Sequence, residues 1–281
     1  MEVAMARRPT GAAEQRPEDD EYFELVAKAL RVCAAYRPKF GKGKKAGLTL
    51  EQFQQMYRAD PFYNWVGLDS PLMYAAHSAA GGMTSIYRQL GIGCQWLVHK
   101  LLQDQLGLSA EQASWQYEVP VPGKKPRTLS LDGRITLGDI PDPSTKARVK
   151  QWVEATYEKV VLAPETRSHI RGAVFEVRQG YKSKDSKRQN ADISNASNAY
   201  ANLYVPVLFL LSTQIDSDVG IRYTQARWLL LTGTTGGPTT ESTYAFCRDV
   251  LGYDLAGFFE RNAARFRSEL EGVLTTLLGA K

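Results

Sequence analysis

Two apolar segments decide the fold of this chain: Gly172-Ala-Val-Phe-Glu-Val-Arg178 and Val205-Pro-Val-Leu-Phe-Leu-Leu211. Both have the length and composition of β-strands, and residues 187–203 between them carry apolar side chains at helical spacing. The second segment shows no polar alternation, which is typical of a central strand covered on both faces. The sequence therefore predicts a strand–helix–strand unit at the centre of a sheet.

Working outward from this unit, further helices and a β-hairpin are predicted on both sides. Thr49 is a candidate helix N-cap and Gly107 a candidate helix end. The element order favours an α/β (α+β) fold, a central mixed β-sheet flanked by helices. The other predicted elements are helices at 21–36, 51–57, 84–106, 109–113, 145–161, 241–251 and 254–278, hairpin strands at 115–121 and 127–137, and a strand at 227–232.

The length of 281 residues suits one large domain or two small ones. Residues 1–20 are polar and charged, and we expect a flexible tail there. Residues 21–83 form an N-terminal helical and irregular region, with 59–84 punctuated by proline and glycine pairs. Residues 84–281 form the core with its C-terminal helices, and we expect one compact domain that includes 21–83.

The composition excludes several classes of protein. Hydrophobic residues make up 43% and charged residues 23%, so a wholly disordered or collagen-like chain is excluded. No run of 18 apolar residues occurs and no secretion signal is recognisable, so we expect neither a membrane span nor export. The three cysteines and three histidines are scattered, which argues against a disulfide framework or a zinc site. A cytoplasmic location is the simplest expectation.

The net charge of +5 is mild, but the positive side chains are clustered. Five fall within 178–188 and five within 37–45. Such clusters are usually solvated loops, and a flexible basic loop is the default interpretation of 37–45; the position of 178–188 beside a candidate acid favours phosphate contact equally. The candidate DNA-binding residues are Lys182, Lys184, Lys187, Arg188, Asn190, Lys42, Lys44 and Lys45.

Glu176 and Arg178 carry the chemistry of the first segment. Side chains alternate along a strand, so both point to one face of the sheet. An acid among apolar residues needs a cation or a metal, so Glu176 could ligate a metal or could simply pair with Arg178. The preferred second acid is Asp132, which lies inside a strand pattern, although it could be an ordinary turn or bulge residue before a glycine. Asp142, in a proline-rich turn, is its rival.

The triplet Glu176-Val-Arg178, the upstream Asp132 and the element order over about 84–232 resemble the core of the PD-(D/E)XK nuclease superfamily, especially type II restriction endonucleases. The resemblance implies a restriction-endonuclease-like core with an N-terminal helical extension. Asp132 matches the first acid and Glu176 the second. The third position holds Arg178 where the family has lysine, so Lys182 or Lys184 could supply that cation. Leucine, not proline, precedes Asp132, whereas a literal Pro-Asp pair ends at Asp142.

The resemblance further implies a Mg²⁺-dependent, sequence-specific endonuclease acting on double-stranded DNA as a homodimer. Asp132 and Glu176 would hold the Mg²⁺, and Arg178 or Lys182 would stabilise the developing charge. Segments 60–90 and 182–200 are candidates for base recognition. The alternatives are a non-catalytic DNA-binding protein on a degenerate nuclease fold and, third, an unrelated α/β enzyme in which 174–188 binds an anionic small molecule.

Overall fold

The computed structural model describes residues 16–39, 47–119, 123, 125–180 and 186–279, with the backbone alone at 119, 127, 186–191, 193 and 279. The helices are α1 (Asp19–Arg31), α2 (Leu50–Arg58), α3 (Pro61–Trp65), α4 (Pro71–Leu106), α5 (Pro143–Lys159), α6 (Pro164–Arg167), α7 (Ser186–Ala201), α8 (Ser217–Gln225), α9 (Thr243–Phe246), α10 (Leu255–Arg261) and α11 (Ala263–Gly279). The strands are β1 (Trp115–Val119), β2 (Arg127–Leu131), β3 (Gly133–Thr136), β4 (Gly172–Arg178), β5 (Tyr204–Leu210) and β6 (Leu229–Leu231).

A four-stranded mixed sheet, in the order β3-β4-β5-β6, organises the chain. Strand β3 runs antiparallel to β4, while β4, β5 and β6 run parallel to one another. Strands β1 and β2 form a separate antiparallel hairpin. The predicted mixed sheet with flanking helices is therefore confirmed, and so is the central β4–α7–β5 unit.

The two faces of β4 pack against different layers. Phe175 and its odd-numbered neighbours join the main core with α4 and α5, where the rings of Phe175 and Trp152 stack at 6.3 Å. Val174 lies on the opposite face, in a second core with Ala196 and Ala199 of α7. Every residue of β5 is buried, as the absence of polar alternation predicts. Glu176 and Arg178 share the parity of Val174 and so lie on the α7 side.

Helix α4 begins at Pro71, inside the region that the sequence predicts as irregular, and α3 precedes it. Ser70 caps α4, because its hydroxyl accepts a hydrogen bond from the Met73 amide at 3.2 Å. The glycines that suggested a turn lie inside the helix because neighbouring elements approach it closely. A Cβ at Gly81 would lie 1.8 Å from the Tyr36 hydroxyl oxygen. The prediction for 59–84 was therefore wrong: its glycines serve packing.

Other boundaries also differ from the prediction. The predicted strand 127–137 is two strands, β2 and β3, which belong to different sheets and meet at a bend at Asp132. Residues 109–113 form a turn, and Cys247–Leu251 continues α9 as a π-helix. Helices α6 and α8 had no predicted counterpart. The Thr49 capping box and the left-handed Gly107 at the end of α4 are confirmed.

The N-terminal end of α1 is tied to α10 by a buried ion pair. Asp19 lies within the segment predicted as a tail, yet its side chain is fully buried. Its carboxylate accepts hydrogen bonds from Arg261 at 2.8 and 3.0 Å and from the Tyr253 hydroxyl at 2.9 Å. Residues 1–15 lie outside the described residues.

Helix α4 is the longest described helix, with 36 residues, but polar side chains interrupt it. In the part of the chain that the structure describes, none of the helices combines the length and the apolar character needed to cross a bilayer. The three cysteines are buried and unbonded to one another.

Candidate functional site

Asp132 lies at the bend between β2 and β3 and is anchored to β4. Its backbone amide donates to the Phe175 carbonyl at 2.8 Å. Its side-chain Oδ2 accepts hydrogen bonds from the Val177 amide at 2.8 Å and from Gln95 Nε2 at 3.1 Å. The prediction that Asp132 lies within a strand was wrong, because β2 and β3 pair with different strands. The bend nevertheless holds Asp132 beside Phe175 and Val177, the two residues that flank Glu176 on β4.

Glu176 and Arg178 form an ion pair on the α7 side of the sheet. Both side chains are largely buried, with 7% and 12% of their surface exposed. The prediction that they share one face is confirmed, and direct pairing, the simpler of the two interpretations of Glu176, is observed. Since a buried carboxylate without a counter-charge is costly, the Arg178 guanidinium supplies the counter-charge that Glu176 needs in the interior.

Asp192 of α7 joins this pair, and the sequence did not single it out. Its Oδ1 lies 3.7 Å from the Arg178 guanidinium, and its Oδ2 accepts a hydrogen bond from the Tyr223 hydroxyl. The buried positions of α7 include Asp192, Asn195, Ala196 and Ala199, a helical i, i+3, i+4, i+7 series. That spacing is the signal that could have identified Asp192 as inward-facing.

We call Asp132, Glu176, Arg178 and Asp192 the acidic cluster. Its four side chains are three carboxyl groups and one guanidinium. Burial lowers the pKa of Arg178, but the neighbouring carboxylates, Glu176 first, raise it by more, so the pKa lies above its ordinary value. The guanidinium therefore remains charged.

Asp142, the rival first acid, has a different role. It is the N-cap of α5, and its Oδ2 accepts hydrogen bonds from the Ser144 hydroxyl at 2.6 Å and the Thr145 amide at 2.7 Å. These hydrogen bonds lower the pKa of the Asp142 carboxyl to about 2. Its described contacts are those of a helix cap, whereas Asp132 is hydrogen-bonded to β4.

The predicted DNA-binding residues fall into two groups, those outside the described residues and those described by their backbone. Lys182 and Lys184, and Lys42, Lys44 and Lys45, lie outside the described residues. The structure gives only the backbone of Lys187, Arg188 and Asn190, in the first turns of α7. Their Cα atoms lie within about 8 Å of Asp192 along the helix axis. The backbone at the start of α7 is therefore within about two helical turns of Asp192.

The number of acidic side chains at the site limits how it could bind a metal ion. Within the described ranges, no group of three or more His, Cys, Asp or Glu side chains could hold a metal ion. Mg²⁺, however, commonly binds through one or two carboxylates, with water and substrate phosphate completing its coordination. The hard oxygen ligands of Asp132 and Glu176 have the chemistry that this ion prefers.

Comparison of the chain with protein-family models, with curated proteins and with solved structures found no match. Its function is therefore inferred from the geometry and chemistry of the site itself.

Proposed function

We propose that this chain is a Mg²⁺-dependent endonuclease that hydrolyses phosphodiester bonds of double-stranded DNA at specific sequences. The observation that supports it best is the acidic cluster. Two carboxylates, Asp132 and Glu176, come from a bend and a strand that are hydrogen-bonded to each other, with a buried cation beside them. A metal held by acids next to a fixed cation is an arrangement suited to phosphoryl chemistry.

In this proposal Asp132 and Glu176 hold the Mg²⁺. The bound ion would polarise the scissile phosphate and lower the pKa of the attacking water. The Val177 amide and Gln95 orient the Asp132 carboxylate, because both donate to its Oδ2.

Arg178 has two tasks in the proposal. It provides the counter-charge to Glu176 in the buried site, and its guanidinium stabilises negative charge that develops on the phosphate. Lys182, which follows in the adjoining segment, is the proposed additional cation. Lys187, Arg188 and Asn190 at the start of α7 would contact the DNA backbone or base edges. A two-fold homodimer would present one cluster to each strand of a palindromic site.

A second candidate function is DNA binding without catalysis. The observation that favours it is the ion pair between Glu176 and Arg178. Arg178 occupies the position at which the nuclease family has lysine, and it pairs with Glu176, the acid that the endonuclease proposal assigns to the metal. If that pair persists when DNA is bound, the fold binds DNA and does not cut it.

Incubation of the protein with plasmid DNA, in Mg²⁺ and separately in EDTA, distinguishes these functions. The endonuclease proposal predicts discrete fragments in Mg²⁺ and intact plasmid in EDTA. Intact plasmid in both conditions, with a clear shift of DNA on a native gel, supports the binding protein. An absence of both cleavage and binding contradicts both candidate functions.

A further inference from the structure

One nitrogen of Arg178 faces two acids at different distances. Its Nη2 pairs directly with Glu176 Oε1 and lies 3.7 Å from Asp192 Oδ1. A charge-assisted hydrogen bond between such groups is about 2.7–2.9 Å long, so Nη2 is bonded to Glu176 and stops about 1 Å short of Asp192. A small movement of the guanidinium would therefore bring Arg178 to hydrogen-bond distance of the second acid.

Asp192 is held in place by the core around it. Its side chain is 5% exposed, and its Oδ2 accepts a hydrogen bond from the Tyr223 hydroxyl. Tyr223 on α8 is buried in turn, and its ring lies edge-on to that of Trp228 with the centroids 5.7 Å apart. With Oδ2 engaged by Tyr223, the described contact of Oδ1 is the one with Arg178. Asp192 is thus a fixed acid, and Arg178, with its long side chain, is the group that would move.

The hydrogen bonds of Arg178 show that its pairing with Glu176 does not satisfy the whole guanidinium. Its Nε is buried and has no hydrogen-bond partner among the described residues. Buried polar groups without a partner are rare in folded proteins, and a functional role is one of their recognised explanations. A planar guanidinium often engages a carboxyl group through two donors at once, whereas the contacts with both acids here involve Nη2. The observed position of Arg178 is therefore not its best-bonded one.

The assignment of Glu176 to the metal creates a requirement for Arg178. Glu176 is the acid closest to it among the described ion pairs, and the Arg178 side chain is only 12% exposed. If Glu176 turned to a metal ion, the guanidinium would lose this partner, and an unpaired charge in the interior is unfavourable. A second acid within reach of the same nitrogen meets the requirement, and Asp192 is such an acid.

We propose that Asp192 is a positioning residue that receives Arg178 when Glu176 turns to Mg²⁺. Arg178 pairs with Glu176 in the metal-free protein and with Asp192 in the metal-bound protein, so it is paired in both. The inference rests on the proposed function insofar as that function assigns Glu176 to the metal. It gives Asp192 a role that the proposed function does not, and it explains how an arginine stands beside a metal-binding acid without blocking it.

Calorimetric titration with Mg²⁺ alone, without DNA, measures the first consequence. Asp192→Asn keeps the shape of the side chain but removes the acid, so Arg178 would stay on Glu176 and compete with the ion. We expect Mg²⁺ binding to weaken about 10- to 100-fold, the usual range for loss of a residue that positions a metal ligand. Circular dichroism checks that the variant is folded.

Asp104→Asn is the matched control. Asp104 also accepts a hydrogen bond from a tyrosine hydroxyl, that of Tyr22 at 2.9 Å, and pairs with Lys100 at 2.8 Å. It follows Gln95, the α4 residue that contacts the cluster, by about 13 Å along the helix axis. Asp104→Asn should bind Mg²⁺ as the wild type does, so a loss confined to Asp192→Asn does not come from replacing any acid held by a tyrosine.

The position of Arg178 gives a second readout, which a merely structural role of Asp192 would not change. Its Nε–H group can be followed by ¹H–¹⁵N NMR and is assigned as the signal that Arg178→Lys lacks. Saturation with Mg²⁺ should shift this signal in the wild type, because Arg178 moves to Asp192. In Asp192→Asn, with Mg²⁺ raised to saturate the weaker site, the shift should be much smaller. The wild-type titration decides by itself if the variant does not fold.

The outcomes separate this inference from the proposed function. An Arg178 signal that Mg²⁺ leaves unshifted in the wild type, or equal Mg²⁺ affinity of Asp192→Asn and the wild type, overturns the inference. Discrete plasmid fragments from the wild type would then still support the endonuclease. An Asp192-dependent shift with the plasmid left intact supports the inference and contradicts the endonuclease. If the wild type neither binds Mg²⁺ nor cuts the plasmid, both fail.

Discussion

Replacement of Arg178 by methionine removes the cation of the acidic cluster while nearly preserving side-chain volume. Arg178 is 12% exposed and pairs with Glu176, which is 7% exposed. After the change, Glu176 and Asp192 remain in a largely buried setting without their described cation. The effect on stability therefore reports on charge rather than on a cavity.

The size of the effect follows from the geometry. At the 3.7 Å between Arg178 and Asp192, the attraction of two unit charges is about 4.5 kcal/mol for an effective dielectric constant of about 20. The contact with Glu176 is closer. Desolvation offsets part of these attractions in the native protein, and removing one partner of a buried pair usually costs about 3–5 kcal/mol. We expect a loss of that size in the free energy of unfolding.

Urea denaturation at neutral pH measures this loss. Arg178→Lys keeps the charge but not the planar fork, so we expect a smaller loss, about 1–2 kcal/mol. Arg248→Met is the matched control, because Arg248 forms a half-exposed ion pair with Asp249 at 2.8 Å. Its loss should be much smaller, because an exposed ion pair contributes little to stability. If Arg178→Met loses no more than this control, the acidic cluster does not depend on Arg178 and our reasoning is refuted.

Three further changes test the fold and the choice of acid. Asp19→Asn should lower the free energy of unfolding by about 3–5 kcal/mol at pH 7, as measured by urea denaturation. Burial raises the pKa of the Asp19 carboxyl, but hydrogen bonds, that from Arg261 first, lower it by more, so the wild-type advantage is complete above the unfolded pKa of about 3.9 and disappears as pH falls through the folded pKa. An advantage that grew on acidification would contradict this reasoning. Asp142→Ala should lower the free energy of unfolding through loss of the α5 cap while DNA cleavage persists; loss of cleavage in a folded variant would restore Asp142 as the first acid. Gly172→Ala should lower the free energy of unfolding by about 3 kcal/mol, because the added Cβ would lie 1.9 Å from the Ile135 carbonyl oxygen. A variant with the wild-type urea midpoint would show that β3 and β4 do not approach each other this closely.

Local patterns predicted those parts of the fold that local interactions determine. The Thr49 capping box and the Gly107 helix end depend on a few adjacent residues, and both could be recognised from the sequence. The β4–α7–β5 unit was also predictable, because its periodicities are clear. The bend at Asp132 was not, since it exists only because β3 pairs with the distant β4. The need for glycine at position 81 was likewise not predictable, because it depends on the approach of Tyr36, which is distant in the sequence.

Some features of the candidate site were likewise predictable from local patterns, and others depended on tertiary packing. Strand alternation predicted that Glu176 and Arg178 share a face, and their ion pair agrees. The participation of Asp192 depends on which side of α7 meets the sheet, and that is determined by tertiary packing against Val174 and its neighbours. The i, i+3, i+4, i+7 spacing is compatible with an inward-facing Asp192, but it does not by itself determine which face of α7 meets the sheet.

The most direct test of the central claim compares cleavage by Asp132→Ala, Glu176→Ala and the wild type on one plasmid in Mg²⁺, with DNA binding measured in Ca²⁺. The account predicts that the wild type produces discrete fragments, and that both variants leave the plasmid intact while binding DNA with near-wild-type affinity. Fragments produced by either variant at the wild-type rate would contradict the assignment of Asp132 and Glu176 as the acids that hold the metal.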